Sequence, residues 1–81
     1  MNSEFQTLSA LEQAVLIDIL EEEKADRGFL SWDTARVFGK NVDTIKASTY
    51  RGAIASLQKK GVIVVNKFRI VKEISDIYRP A

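Results

Sequence analysis

The stretch STYRGAIASLQKKGVIVV, residues 48–65, decides the fold. Its first part places Tyr50, Ile54 and Leu57 on one side of a helix, with Ala53 at the edge and Ala47 one turn earlier. Lys59 and Lys60 suit the negative end of that helix's dipole, and Gly61 can take the left-handed conformation that stops it. A β-branched run begins at once in VIVV. The opposite helical side holds Ser48, Gly52, Ala55, Ser56 and Lys59, with Thr44 and Arg51 on its flank. Four of the five central residues there are small, and a glycine inside a helix costs roughly 1 kcal/mol against alanine. Three readings of Gly52 stand side by side: a tolerated surface glycine, close approach by DNA, or close approach by a protein.

Downstream of this stretch, VIVVNKFRIVKEI reads as a hairpin over about 62–73. A two-residue turn at Asn66 and Lys67 sets Val65 opposite Phe68 and Ile63 opposite Ile70. ISDIYRPA follows, with Ile74, Ile77 and Tyr78 at helical spacing, and Pro80 limits it to a short C-terminal helix. Those three apolar residues suggest packing against a second copy, so a homodimer is expected through them.

Upstream, SALE at 9–12 is a capping box, in which the serine hydroxyl takes a first-turn amide and the glutamate reaches back to the cap. A first helix is expected over about 9–24, with Leu11, Val15, Leu16, Ile19 and Leu20 as its apolar stripe and Gly28 as its stop. Ser31 caps a second helix over 31–38 that carries Trp32, Ala35 and Phe38 toward the core, closed by Gly39. Asp43 is a good cap for the third helix, expected over 44–60.

With 81 residues, one proline and 46% hydrophobic residues, the chain has the composition of a single folded domain spanning 1–81. No run is apolar enough to span a bilayer, since Asp18 interrupts AVLIDIL, and MNSEFQTLS lacks the features of a secretory signal. A cytoplasmic location is the expectation. The absence of cysteine and histidine removes thiolate nucleophiles, the commonest general base and the commonest metal ligands. The acids of EEEKADRG are consecutive on a helix and cannot converge on one substrate. An enzyme is therefore not expected, and no cofactor is implied.

The net charge of +1 conceals an asymmetry. Residues 1–30 carry seven acids against Lys24 and Arg27, whereas residues 31–81 carry ten Lys and Arg against four acids. A basic face of this kind attracts and orients a polyanion.

Helix, short strand, helix, turn, helix and hairpin is the order of a winged helix-turn-helix domain. STYRGAIASLQKKGVI resembles the third helix and wing start of winged-helix transcription regulators through Ser48, Thr49, Leu57, Lys60, Gly61, Val62 and Ile63. FLSWDTARVFGKNVDT, residues 29–44, resembles the preceding strand, second helix and turn. The two halves join at unusual spacing, with Gly39 ten positions before Thr49, so either the turn or the third helix is lengthened. VDTIKAS holds no breaker, which favours the helix.

The resemblance implies an α+β winged helix-turn-helix of three helices and a C-terminal two-stranded β-hairpin wing. It further implies a regulator of transcription that binds double-stranded DNA, with the 44–60 helix in the major groove and residues 66–69 on the backbone. The residues expected at the DNA are Thr44, Lys46, Ser48, Arg51 and Gly52 on the helix, Lys40 and Asn41 in the turn, and Asn66, Lys67 and Arg69 on the wing. The alternative is a winged-helix module that binds a protein partner in a transcription or replication machine. The small-residue helix face and Ile45, expected near the exposed side, carry that alternative.

Overall fold

The computed structural model describes residues 4–25 and 29–80. It is an α+β fold with helices α1 (Ala10–Ala25), α2 (Trp32–Phe38) and α3 (Ala47–Lys59), followed by an antiparallel hairpin of β1 (Ile63–Val65) and β2 (Val71–Ile74). Short 3-10 turns at Glu4–Thr7 and Asp76–Tyr78 flank these elements. Among the described residues no helix is long and apolar enough to cross a membrane.

The capping box forms as the sequence demands. The Glu12 amide donates to Ser9 Oγ at 3.1 Å and the Ser9 amide donates to Glu12 Oε1 at 2.9 Å, so two otherwise orphaned donors are satisfied at the start of α1. The stop expected at Gly28 lies outside the described residues. At α2, Ser31 adopts an extended cap conformation and its hydroxyl accepts from the Asp33 amide.

The core gathers one face from every element. Val15, Leu16 and Ile19 of α1, Trp32 and Ala35 of α2, Tyr50, Ala53, Ile54 and Leu57 of α3, and Ile63 and Val71 of the hairpin, with Val62 just before it, form one buried cluster. Burial of each such aliphatic side chain is worth about 1.5–3 kcal/mol, and the Trp32 and Tyr50 rings stack with centroids 6.4 Å apart. Phe38, expected in the core, is instead 65% exposed at the end of α2. The seven-residue helix has turned it past the last core position, Ala35.

The third helix starts three residues later than expected. Residues 40–44 form turns, and Lys46, not Asp43, occupies the cap position without a capping side chain. The extra residues therefore lengthen the turn. Two tertiary contacts override the favourable cap at Asp43: Asn41 is tied to α1, and the turn brings Ile45 against the core, where a helix begun at Thr44 would have faced it outward.

The hairpin also differs in register. Ile63 pairs with Ile74 and Val65 with Val71, with a bulge after Val64, so the connection spans Asn66 to Ile70. Ile70 leaves the hairpin to bridge Ser31, and Val71 takes the buried position expected for Ile70. The Val71 amide donates to the Leu30 carbonyl at 2.8 Å and the Trp32 amide to the Arg69 carbonyl at 3.2 Å. This short pairing fixes the hairpin against the start of α2.

At the C-terminal end the expected short helix is a single 3-10 turn. Ile74 and Tyr78 pack on their own core, leaving Ile77 exposed from the trio expected at a dimer contact. Arg79 holds the segment down through a two-pronged pair with Glu23, at 2.7 and 3.0 Å.

Candidate nucleic-acid interface

Residues 44–72 contain seven Lys and Arg and no Asp or Glu. This stretch comprises α3, both hairpin strands' facing ends and the loop between them, and its cations divide into two sets. Lys60 and Arg69 are engaged: Lys60 Nζ lies 2.7 Å from Glu12 Oε1, while Arg69 pairs with Asp33 at 3.0 Å and lies over the Trp32 ring. Lys46, Arg51, Lys59, Lys67 and Lys72 are exposed and carry no ion pair among the described residues.

The outward side of α3 consists of Ser48, Arg51, Gly52, Ala55 and Lys59, all exposed. Helical spacing puts them within one broad stripe opposite Tyr50, Ile54 and Leu57. A Cβ added at Gly52 would meet nothing within 4 Å, so no packing inside the domain requires glycine there. Ser56, expected on the same bare side, is half-buried, and its hydroxyl donates to Glu12 Oε2 at 2.6 Å.

The turn residues expected at the DNA also have partners within the fold. Asn41 spends its side-chain amide on the fold, donating to the Ala14 carbonyl at 3.1 Å and to Asp18 Oδ1 at 2.9 Å. The Asn41 carbonyl in turn accepts from the Thr44 amide, the Thr44 hydroxyl and the Ile45 amide. The Lys40 amide also donates to Asp18 Oδ1, and its ammonium leans toward Glu21 at 3.9 Å. Thr44 and Lys46 lie ahead of the helix, so neither projects from its first turn.

At the hairpin apex, Asn66 organises the loop. Its Oδ1 accepts from the Phe68 and Ile70 amides at 2.8 and 3.1 Å, its own amide donates to the Ile70 carbonyl, and its carbonyl accepts from the Arg69 amide. Arg69 stands at φ +66°, in the left-handed region. Lys67 is exposed with its ammonium 5.1 Å from the Phe68 ring centroid. Of the three hairpin residues expected at the backbone, Lys67 alone presents an uncommitted charged group. Asn66 is a turn former, and the Arg69 guanidinium is drawn back onto α2.

Two buried acids of α1 support this surface from behind. Burial pushes the Glu12 carboxyl upward, but hydrogen bonds from Lys60, Ser56 and Ser9 outweigh it and hold the group at about 2. Asp18 is pushed above its ordinary range by burial, only partly countered by Asn41 and the Lys40 amide. Sequence reasoning found Glu12 as a cap but missed its long-range partners, and it missed Asp18 as the anchor of the turn. An acid interrupting an apolar run was the available signal. Comparison with protein-family models, curated proteins and solved structures gives no match.

Proposed function

We propose that the chain is a winged helix-turn-helix regulator of transcription that binds double-stranded DNA through the outward side of α3 and the hairpin apex. The observation that carries this reading is the acid-free stretch 44–72, in which Lys46, Arg51, Lys59, Lys67 and Lys72 are exposed and make no ion pair among the described residues. Ser48 and Arg51 are the groove-facing polar groups, Gly52 permits close approach, and Lys59 and Lys67 meet phosphates. Lys46, at the helix cap, adds charge without reading bases. Asn41, Asn66 and Arg69 act by holding the turn and hairpin in place.

Fluorescence anisotropy with random-sequence duplex over a salt series tests this. Lys67→Ala should weaken binding to all sequences alike and lower the salt slope by about one counterion. Arg51→Ala should cost about 1–3 kcal/mol on a preferred site and much less on random duplex. Gly52→Leu should abolish binding with the fold intact, because the added side chain points into open space. Duplex binding absent even at low salt, or unchanged in all three variants, overturns the reading.

A second reading, a module that docks on another protein, is favoured by the exposed Phe29, Val37 and Phe38, which flank and end α2 away from the acid-free stretch in sequence. Loss of partner binding in Phe38→Ser with duplex binding absent would support it.

A further inference from the structure

Among the described residues Phe68 is the most exposed large hydrophobic, at 68%, and it sits at the hairpin apex, where turn chemistry favours small and polar residues. The fold does not need its ring there. The apex backbone is held by Asn66 through the Phe68 and Ile70 amides and by the Arg69 and Asn66 main-chain bonds, none of which uses the Phe68 side chain. The ring is accompanied by the Lys67 ammonium and lies inside a stretch that has no acid from residue 44 to 72. An apolar group displayed on a rigid apex among cations is matched by a target that is anionic outside and apolar within. Stacked base pairs behind a phosphate backbone have that character, whereas an ordinary protein surface does not.

We infer that Phe68 is an apolar wedge that enters between adjacent base pairs of duplex DNA from the minor groove, with Lys67 moving from the ring to the flanking phosphate. This rests on the DNA-binding reading above. A helix fills the major groove, and the hairpin, with three residues in β1 at about 3.3 Å each, carries its apex roughly 10 Å away, toward the neighbouring narrow groove. A single side chain can enter there where a paired ribbon cannot. Wedges of this kind partly unstack one step and kink the duplex, so pyrimidine–purine steps, which unstack most easily, are the expected targets.

The test uses the full chain with short duplexes carrying an aminopurine reporter base beside a TA or CA step, and binding is followed in parallel by anisotropy. The wild-type chain should raise the reporter fluorescence on binding. Phe68→Ala should remove that rise and weaken binding about ten-fold, with an unchanged melting temperature. Phe68→Leu should retain most of both effects. Lys67→Ala should weaken binding but keep the fluorescence rise at saturation. Tight duplex binding without a rise, or a rise that survives in Phe68→Ala, overturns the wedge and leaves the DNA reading standing. Tighter binding to single strands than to duplex also overturns it, making Phe68 a platform for unpaired bases. A wild-type chain that binds no duplex at low salt overturns both.

Discussion

Glu12 and Asp18 lie on the same helix, both almost fully buried, and their circumstances are opposite. Each Glu12 oxygen has a partner, including a lysine. Asp18 gives one oxygen to two donors, and its other oxygen, Oδ2, has no hydrogen-bond partner among the described residues. The consequence is that burial loses to hydrogen bonding at Glu12 and wins at Asp18. A buried carboxylate is therefore not one kind of feature. Glu12 stabilises the fold in its ionised form, whereas Asp18 positions the turn from a site whose burial disfavours the ionised form.

The sharpest way to break the Asp18 side of the comparison is through its neighbour. A Cβ at Gly39 would run into the Ala35 carbonyl oxygen and the Asp18 carboxyl. Gly39→Ala must push apart α2 and the turn, and chemical denaturation should show a loss of about 3 kcal/mol or more, in the range of severe core overpacking.

Glu12→Gln comes next. Its folded-state value of about 2 lies below the ordinary 4.5, so its stabilisation is present above pH 4.5 and is lost as pH falls from 4.5 toward 2. The substitution should cost about 2–3 kcal/mol at neutral pH, because the buried position loses the carboxylate that Lys60, Ser56 and Ser9 hold. The gap between wild-type and Glu12→Gln chains should close on acidification, as read by denaturant midpoints across pH.

Asp18→Asn should have the smallest effect, near zero or up to about 1 kcal/mol stabilising at neutral pH, since the amide oxygen keeps the Lys40 and Asn41 bonds while the charge is removed. The sign of its pH dependence is reversed. A carboxyl raised in the folded state favours folding when protonated, so wild-type stability declines relative to Asp18→Asn as pH rises above 3.8 through the folded value. An Asp18→Asn loss as large as that of Glu12→Gln would erase the distinction.

How much of this was legible in the sequence follows the range of the interaction. The SALE box, the Ser31 cap and the Gly61 stop, at φ +76°, depend on neighbours within a turn, and all three appear where the residues place them. The inner face of α3 was legible from period alone, with Tyr50, Ile54 and Leu57 buried. The start of α3 was not, because Asp43 is a sound local cap and what defeats it is an asparagine bonded to a helix more than twenty residues earlier. The hairpin register failed for a similar reason. Asn66 and Lys67 suit a tight turn, but the pairing of Ile70 with Ser31 draws the second strand out of step. The candidate surface inherits the same division. Ser48, Arg51, Gly52 and Lys67 are exposed as periodicity and turn position suggest. Asn41 and Arg69 are claimed by partners that only the tertiary fold supplies.

Helix ends ordinarily open and close on their own, faster and more often than the middle of the helix. Here the first turn of α1 and the last turn of α3 share the Glu12 carboxylate, through Ser9 at one end and Ser56 and Lys60 at the other. Fraying of either end would leave a buried charge with part of its coordination gone, so the two ends are bound to open together. The junction between α3 and the hairpin, whose first strand begins three residues after Lys60, is thereby denied the local breathing common at such joints. The C-terminal end of α3, from which the hairpin departs, is held by a residue near the opposite end of the chain.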